Sequence, residues 1–210
     1  MIRVLIADDH AIVRQGLKLI LSETSDMSVA GEADSGLHAL KLAREGKWDV
    51  ALLDISMPDK NGIDVLKIIK GEFPKQPVLM LSMHPEEHYA IRALKAGASG
   101  YLTKQSAPAL LVTAIRQVAS GRKYVSPELA EKLASTLGGD TDRPLHENLS
   151  DREYQVLCLI ASGKPLSEIA ETLSLSAKTV SVYRARLLEK MNLKNNAELT
   201  HYGIKHQLVE

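Results

Sequence analysis

Five short apolar runs, separated by longer stretches of helical period, constrain the first 120 residues of this chain more than any other feature. The runs are VLIA (4–7), MSVAGEA (27–33), VALLDI (50–55), PVLMLS (77–82) and GYLT (100–103). Short runs of this kind, alternating with amphipathic helices, make βα units and therefore a parallel sheet covered on both faces. Ile12, Val13, Leu17, Ile20 and Leu21 mark the inner face of a first helix, and Leu37, Leu40, Leu42 and Ala43 that of a second. Ile63, Val65, Leu66, Ile68 and Ile69 mark a third; Ala90, Ile91 and Leu94, then Leu110, Leu111, Ile115 and Val118, supply two more. The predicted architecture is a doubly wound (βα)5 sheet of the α/β class over residues 1–120, a natural single-domain size.

After Gly121 the pattern changes. YVSPELAEKLASTL predicts one short helix, and Gly138 to Asn148 gathers Gly, Pro and polar residues without a period, so 121–148 reads as a linker. From Leu149 onward there is no strand signal. Ser150 with Glu153 three residues later forms a capping box, and helical segments follow at about 150–162, 166–173, 177–191 and 195–207, an all-α second domain over 149–210.

Composition narrows the setting. The 26 basic residues balance 26 acidic ones, so total charge implies neither a basic nor an acidic partner. The lone Cys158 can make neither an internal disulfide nor a thiolate zinc site, and it falls on the buried period of its helix. No apolar run approaches the roughly 18 residues of a membrane helix. MIRVLIADDH turns acidic too soon for a signal peptide. The expectation is a cytoplasmic protein with no membrane partner. His84 and His88 are four apart and could share a helix face, but no nearby carboxylate or thiol completes a metal site.

The candidate chemistry lies at strand ends. Asp8 and Asp9 follow the first strand, Asp54 ends the third, Ser82 ends the fourth and Lys104 follows the fifth. In an open doubly wound sheet these ends converge on one crevice, where ligands bind. Three carboxylates there repel one another unless a divalent cation takes their oxygens, and hard oxygen donors with room for another ligand suit Mg²⁺. A lysine and a hydroxyl beside them can receive a phosphoryl group. The most exposed of the aspartates is expected to act as nucleophile and form an aspartyl phosphate.

A second constellation follows the linker. Ile169, Ala170 and Leu173 mark the buried face of a short helix, SLS breaks it, and Val180, Leu187 and Leu188 mark the next, which is helix-turn-helix geometry. From Ser176 to Lys194 the cations Lys178, Arg184, Arg186, Lys190 and Lys194 face only Glu189, a local charge of +4 in a neutral chain. A basic stripe on a short amphipathic helix is the footprint of a DNA-reading element.

VLIADDH, LLDISMPDKNGIDVL, LMLSMHP and AGASGYLTK resemble the receiver domain of two-component response regulators, and LSDREYQVLCLIASGKPLSEIAETLSLSAKTVSVYRARLLEKMNLKNNAEL resembles the four-helix DNA-binding domain of the LuxR type. Together they resemble the NarL/FixJ family over nearly the whole chain. The resemblance implies a flavodoxin-like strand order of 2-1-3-4-5, Asp54 as phosphoacceptor, and Mg²⁺ held by Asp9, Asp54 and the backbone carbonyl of Ser56, with Asp8 acting through water. Ser82 and Lys104 would bind phosphoryl oxygens, Tyr101 would be the aromatic switch, Met57 and Pro58 would shape the loop after the acceptor, and Gly62 would relieve crowding. In the second domain Ser181, Val182 and Ala185 would face bases, while Lys178, Thr179, Tyr183, Arg184 and Arg186 would contact phosphates or the groove. Leu199, Tyr202, Ile204 and Leu208 would supply a dimer surface. The implied partners are a sensor histidine kinase, double-stranded promoter DNA, a second copy after phosphorylation, and RNA polymerase. Tyr183 stands where His is frequent, Asn196 where Arg is, and Gln207 where Gly is common. An aspartate-nucleophile phosphatase would want a second acid at position 56, which is serine, and a cap domain over its substrate. The chain therefore reads as a switch and not as an enzyme.

Overall fold

The computed structural model describes residues 1–83, 89–106, 108–127, 129–131, 144–206 and 208–209, with the backbone alone at 86–88. The chain divides into two compact units, 1–138 and 139–210. The histidine pair and Gln207 named above lie outside the residues described in full, as do 128 and 132–137 of the predicted 124–137 helix and 138–143 of the linker.

In the first unit, β1 (Ile2–Ala7), β2 (Met27–Ala33), β3 (Val50–Asp54), β4 (Val78–Ser82) and β5 (Gly100–Thr103) form a parallel sheet in the order β2-β1-β3-β4-β5. Helices α1 (Ala11–Ser22), α2 (Gly36–Glu45), α3 (Gly62–Glu72), α4 (Glu86–Lys95) and α5 (Pro108–Ala119) alternate with the strands. All five residues of β3 and of β4 are buried, which is why these strands are uninterrupted apolar runs rather than alternating ones. One core gathers Val4, Ile6, Leu52, Leu79, Leu81 and Leu102 of the sheet with Leu17 and Leu21 of α1 and Leu111, Ile115 and Val118 of α5.

Three residues assigned to inner helix faces point outward instead. Ile12 is 88% exposed, Leu37 56% and Leu110 47%. Each begins its helix a step away from the stripe set by Leu17 and Leu21, Leu40 and Ala43, or Leu111 and Ile115, so helical geometry turns it to solvent although its residue type is apolar.

The segment after α5 is fastened to the sheet. Tyr124 N donates to Ser99 O at 2.8 Å, and Tyr124 pairs with Gly100 in an isolated bridge. A Cβ on Gly100 would lie 2.6 Å from Tyr124 O, so only glycine permits this approach.

The second unit contains α6 (Asp151–Ala161), α7 (Leu166–Thr172), α8 (Ala177–Lys190) and α9 (Asn196–Lys205). The expected structureless linker ends earlier than Asn148: Leu145–Asn148 is a 3-10 turn, with His146 Nδ1 3.0 Å from the Tyr202 hydroxyl. The Ser150–Glu153 capping box is present at the start of α6. The buried Glu153 carboxylate also takes Lys190 Nζ at 2.8 Å, tying α6 to the end of α8.

Candidate functional site

At the carboxyl ends of β1, β3 and β5 the chain turns outward, and two acidic side chains meet one lysine with a third acid, Asp9, close by. Asp8 and Asp54 are almost completely buried, at 1% and 2% exposure. Lys104 Nζ lies 2.7 Å from Asp8 Oδ2 and 2.9 Å from Asp54 Oδ2. Apart from Lys104, those two carboxylate oxygens have no hydrogen-bond partner among the described residues. The other Asp8 oxygen accepts from His10 N at 2.9 Å, and Arg14 Nη1 donates to the Asp8 carbonyl at 2.7 Å.

The Asp54 carboxyl is raised to about 6: burial raises it most, Lys104 lowers it, and Asp8 and Asp9 raise it again. Lys104 is raised as well. Burial lowers its ammonium, but Asp54 and Asp8 outweigh that and hold it above the usual range. One ammonium therefore balances two buried carboxylates with a third acid close by, and it is the one partner of two buried oxygens among the described residues. That is the environment a divalent cation satisfies, and Asp8, Asp9, His10 and Asp54 bring ligand atoms within 4.8 Å of one another.

His10 is the residue that reading the sequence missed. Its Nδ1 lies 2.7 Å from Asp9 Oδ1 and 3.2 Å from Asp8 Oδ1. The available signal was adjacency alone, a histidine directly after an acidic pair. The exposure ranking also differs from expectation: the most open of the three aspartate side chains is Asp9, at 33%, and not Asp54.

Ser82, fully buried at the end of β4, pairs in register with Thr103, and its carbonyl accepts from Lys104 N at 2.8 Å. Tyr101, which the resemblance makes the aromatic switch, is fully buried beside Met80 in the β4–β5 register. Ser56 and Met57 lie in the loop between β3 and α3, Met57 buried and Ser56 half-buried. A Cβ on Gly62 would fall 1.9 Å from the Asp54 carbonyl, so the close return of this loop to the end of β3 requires glycine.

In the second unit α7 and α8 meet at a turn in which Ser174 takes φ +52° and Ser176 caps α8 by accepting from Thr179 N at 3.0 Å. Lys178, Ser181, Val182 and Ala185 recur at helical spacing on the exposed face of α8, while Val180 and Leu187 are fully buried on the opposite side. Arg186 is exposed at the edge of that face, and Tyr183 is half-buried. Three members of the basic and polar set are already engaged. The Thr179 hydroxyl is 2.8 Å from Ser176 Oγ, Arg184 Nε donates to Asn196 Oδ1, and Lys190 is held by Glu153.

The predicted dimer surface needs correction. Leu199 and Leu208 are buried, at 0% and 6%, and Tyr202 is turned toward His146. Of the four residues, Ile204 alone is widely open, at 58%, next to exposed His201 and Lys205. An apolar period on a terminal helix marks its packing face first, and only the residue off that face reaches solvent.

An acidic crevice with a buried lysine on a 2-1-3-4-5 sheet, carried on one chain with a helix-turn-helix unit, defines a two-component response regulator that binds DNA. The response regulator receiver domain family matches residues 4–116, and the family of bacterial regulatory proteins of the luxR type matches residues 147–203. Response regulator UvrY of Escherichia coli is 39% identical over 209 residues, covering 99% of this chain and 96% of its own. Response regulator GacA of Pseudomonas aeruginosa is 38% identical over 212 residues, covering 100% of this chain and 99% of its own. A structure of RcsB from Salmonella typhimurium aligns with TM-score 0.68 and 28% identity, over 98% of each chain. Another, RcsB bound to promoter rprA in the presence of the phosphomimetic BeF3⁻, aligns with TM-score 0.65 and 29% identity, over 96% of this chain and 97% of that one. The chain belongs to the NarL/FixJ family of response regulators. Proteins of this family are DNA-binding transcription regulators rather than enzymes.

Proposed function

We propose that this protein is a cytoplasmic transcription regulator switched by phosphorylation of Asp54 by a sensor histidine kinase. One observation carries the reading: a buried carboxylate at a strand end, 2.9 Å from a buried lysine and within reach of two further acids. An Asp54 oxygen attacks the phosphorus of a kinase phosphohistidine; the new P–O bond forms as the P–N bond breaks, and the imidazole leaves. Asp9, Asp54 and the Ser56 carbonyl would hold Mg²⁺, with Asp8 acting through water. When bound, Mg²⁺ neutralises charge on the transferring phosphoryl oxygens. Lys104 exchanges its pairing with the Asp54 carboxylate for a phosphoryl oxygen, and the Ser82 hydroxyl donates to another. Tyr101 is the aromatic switch: its buried ring is held inward once Ser82 has been drawn to the phosphoryl group, and the surface around β4 and β5 changes with that pairing.

Phosphorylation favours a homodimer on promoter DNA, each copy placing α8 in the major groove of one half-site. Ser181, Val182 and Ala185 face bases. Lys178 and Arg186 lie nearest phosphates, with Thr179, Tyr183 and Arg184 at the margins, and RNA polymerase is the downstream partner. RcsB seen on a promoter with a phosphomimetic supports the same coupling here.

The test is phosphoryl uptake by the full chain from a small acyl phosphate, expected with Mg²⁺ and abolished by a chelator. Uptake undiminished by the chelator would contradict the reading. Protons compete with the cation for a carboxyl that titrates near 6. The Mg²⁺ dissociation constant measured by calorimetry should therefore rise about tenfold as pH falls from roughly 7.5 to roughly 5, because deprotonated Asp54 binds and protonated Asp54 does not. A constant unchanged over that interval would place the cation elsewhere.

A further inference from the structure

The loop that returns from Asp54 to α3 is tied to a helix that takes no part in the chemistry. Asp59 is one of three non-glycine residues with positive φ among those described, at +60°. Lys60 N donates to Pro58 O at 2.7 Å across it, so Asp59 is the centre of a γ-turn of the strained, left-handed kind. Residues are held in that conformation only where their surroundings over-determine it. Here the surroundings are the amino terminus of α2. Leu37 N donates to Asp59 Oδ1 at 3.1 Å, and Gly36 N points to Pro58 O at 3.5 Å. Two of the amide groups that a helix start leaves without intrahelical partners are thus directed at this loop, where an anionic acceptor is favoured. The packing is close: a Cβ on Gly36 would lie 2.2 Å from Lys60 O. At the other end the loop is pinned by Gly62 N donating to Ile55 O at 2.9 Å.

Between those two pins lies Ser56, whose carbonyl the proposed function assigns to Mg²⁺. We propose that Asp59 is a positioning residue for that cation: by fastening the loop to the start of α2, it holds the Ser56 carbonyl where Asp9 and Asp54 can share a ligand with it. The proposal rests on the Mg²⁺ reading above. It makes α2 a rigid backing for the site and the Asp59 carboxylate the joint between them. Asparagine at position 59 keeps an acceptor oxygen and tolerates positive φ. Glycine keeps the backbone conformation without strain but removes the joint.

The experiment compares the full chain with Asp59→Asn and Asp59→Gly, measuring Mg²⁺ binding by calorimetry, the thermal midpoint, and amide hydrogen exchange at Leu37. Asp59→Gly should weaken Mg²⁺ binding about tenfold, at the lower end of what loss of an outer-shell partner costs a metal, without lowering the thermal midpoint. Asp59→Asn should stay within about twofold of the parent because its side chain restores the bond. Mg²⁺ should slow exchange of the Leu37 amide in the parent and in Asp59→Asn but not in Asp59→Gly, since coupling between cation and joint is reciprocal. Parental affinity in Asp59→Gly, or equal weakening in both variants, would overturn the role of the joint while leaving the site intact. A parent chain that binds no Mg²⁺ would overturn the site and the joint together.

Discussion

Replacing Asp54 by alanine should abolish phosphoryl incorporation from a small donor in the presence of Mg²⁺. The nucleophilic oxygen is gone, and Asp8 cannot substitute, because its side chain is buried, paired to Lys104 and committed to the His10 amide. Asp9 is more open but its carboxylate is turned to His10. The variant should remain folded, since removing one of three mutually repelling carboxylates relieves charge while Asp8 still balances Lys104. Labelling of this variant at the parental level would sink the acceptor assignment. Lys104→Ala serves as the contrast. It leaves the acceptor in place, so some phosphorylation should persist, but it strands two buried carboxylates, which costs about 3–5 kcal/mol when one partner of a buried pair is removed. Labelled Lys104→Ala should bind DNA no better than the unlabelled variant, because the ammonium proposed to read the phosphoryl group is missing.

Removing the open cations of α8 should weaken binding to every duplex. Lys178 and Arg186 are both exposed, and among the described residues no neighbour claims either in the way Glu153 claims Lys190. Each phosphate that is no longer neutralised should reduce the slope of log affinity against log salt by about 0.9, so Lys178→Ala with Arg186→Ala should lower it by about 1.8. Lys190→Ala should leave that slope near the parental value and instead loosen the second unit, since its partner is the buried Glu153 carboxylate. Changing Ser181 or Ala185 should alter which sequences are preferred, with smaller changes in the salt slope, because base edges and not phosphates carry sequence information. Binding titrations against several duplexes at graded salt separate these outcomes. A slope unaltered in the Lys178 and Arg186 pair would mean that another face meets the DNA.

Much of the first unit was legible because a strand buried on both faces must be apolar along its whole length, and few chain segments satisfy that by accident. The runs around Val4–Ala7 and Val78–Ser82 could hardly be anything else, and the polar residues at their ends stand out against them. Helix faces were less legible. Ile12, Leu37 and Leu110 carry the apolar type but sit a step off the stripe, and type alone cannot show the phase of a short helix. Pairs made between elements were not legible at all. Glu153 was readable as the cap of α6, but its partner Lys190 is 37 residues away and looked like one more cation for DNA. The joint between Asp59 and Leu37 is hidden for the same reason, across 22 residues, and His10 because only the fold turns its ring onto Asp9.

Asp54 lies in one compact unit and α8 in the other, so a phosphoryl group can act on DNA only by biasing two arrangements of the whole protein. That coupling is the central claim. It is tested most directly by titrating one operator duplex with the full chain, at fixed salt, with and without a phosphodonor, alongside Asp54→Ala and residues 149–210 alone. Affinity and dimer population of the parent should both rise with the donor, while Asp54→Ala and the isolated second domain should give the same curve in both conditions. Equal affinity and equal dimerisation of the parent in the two conditions would contradict the account.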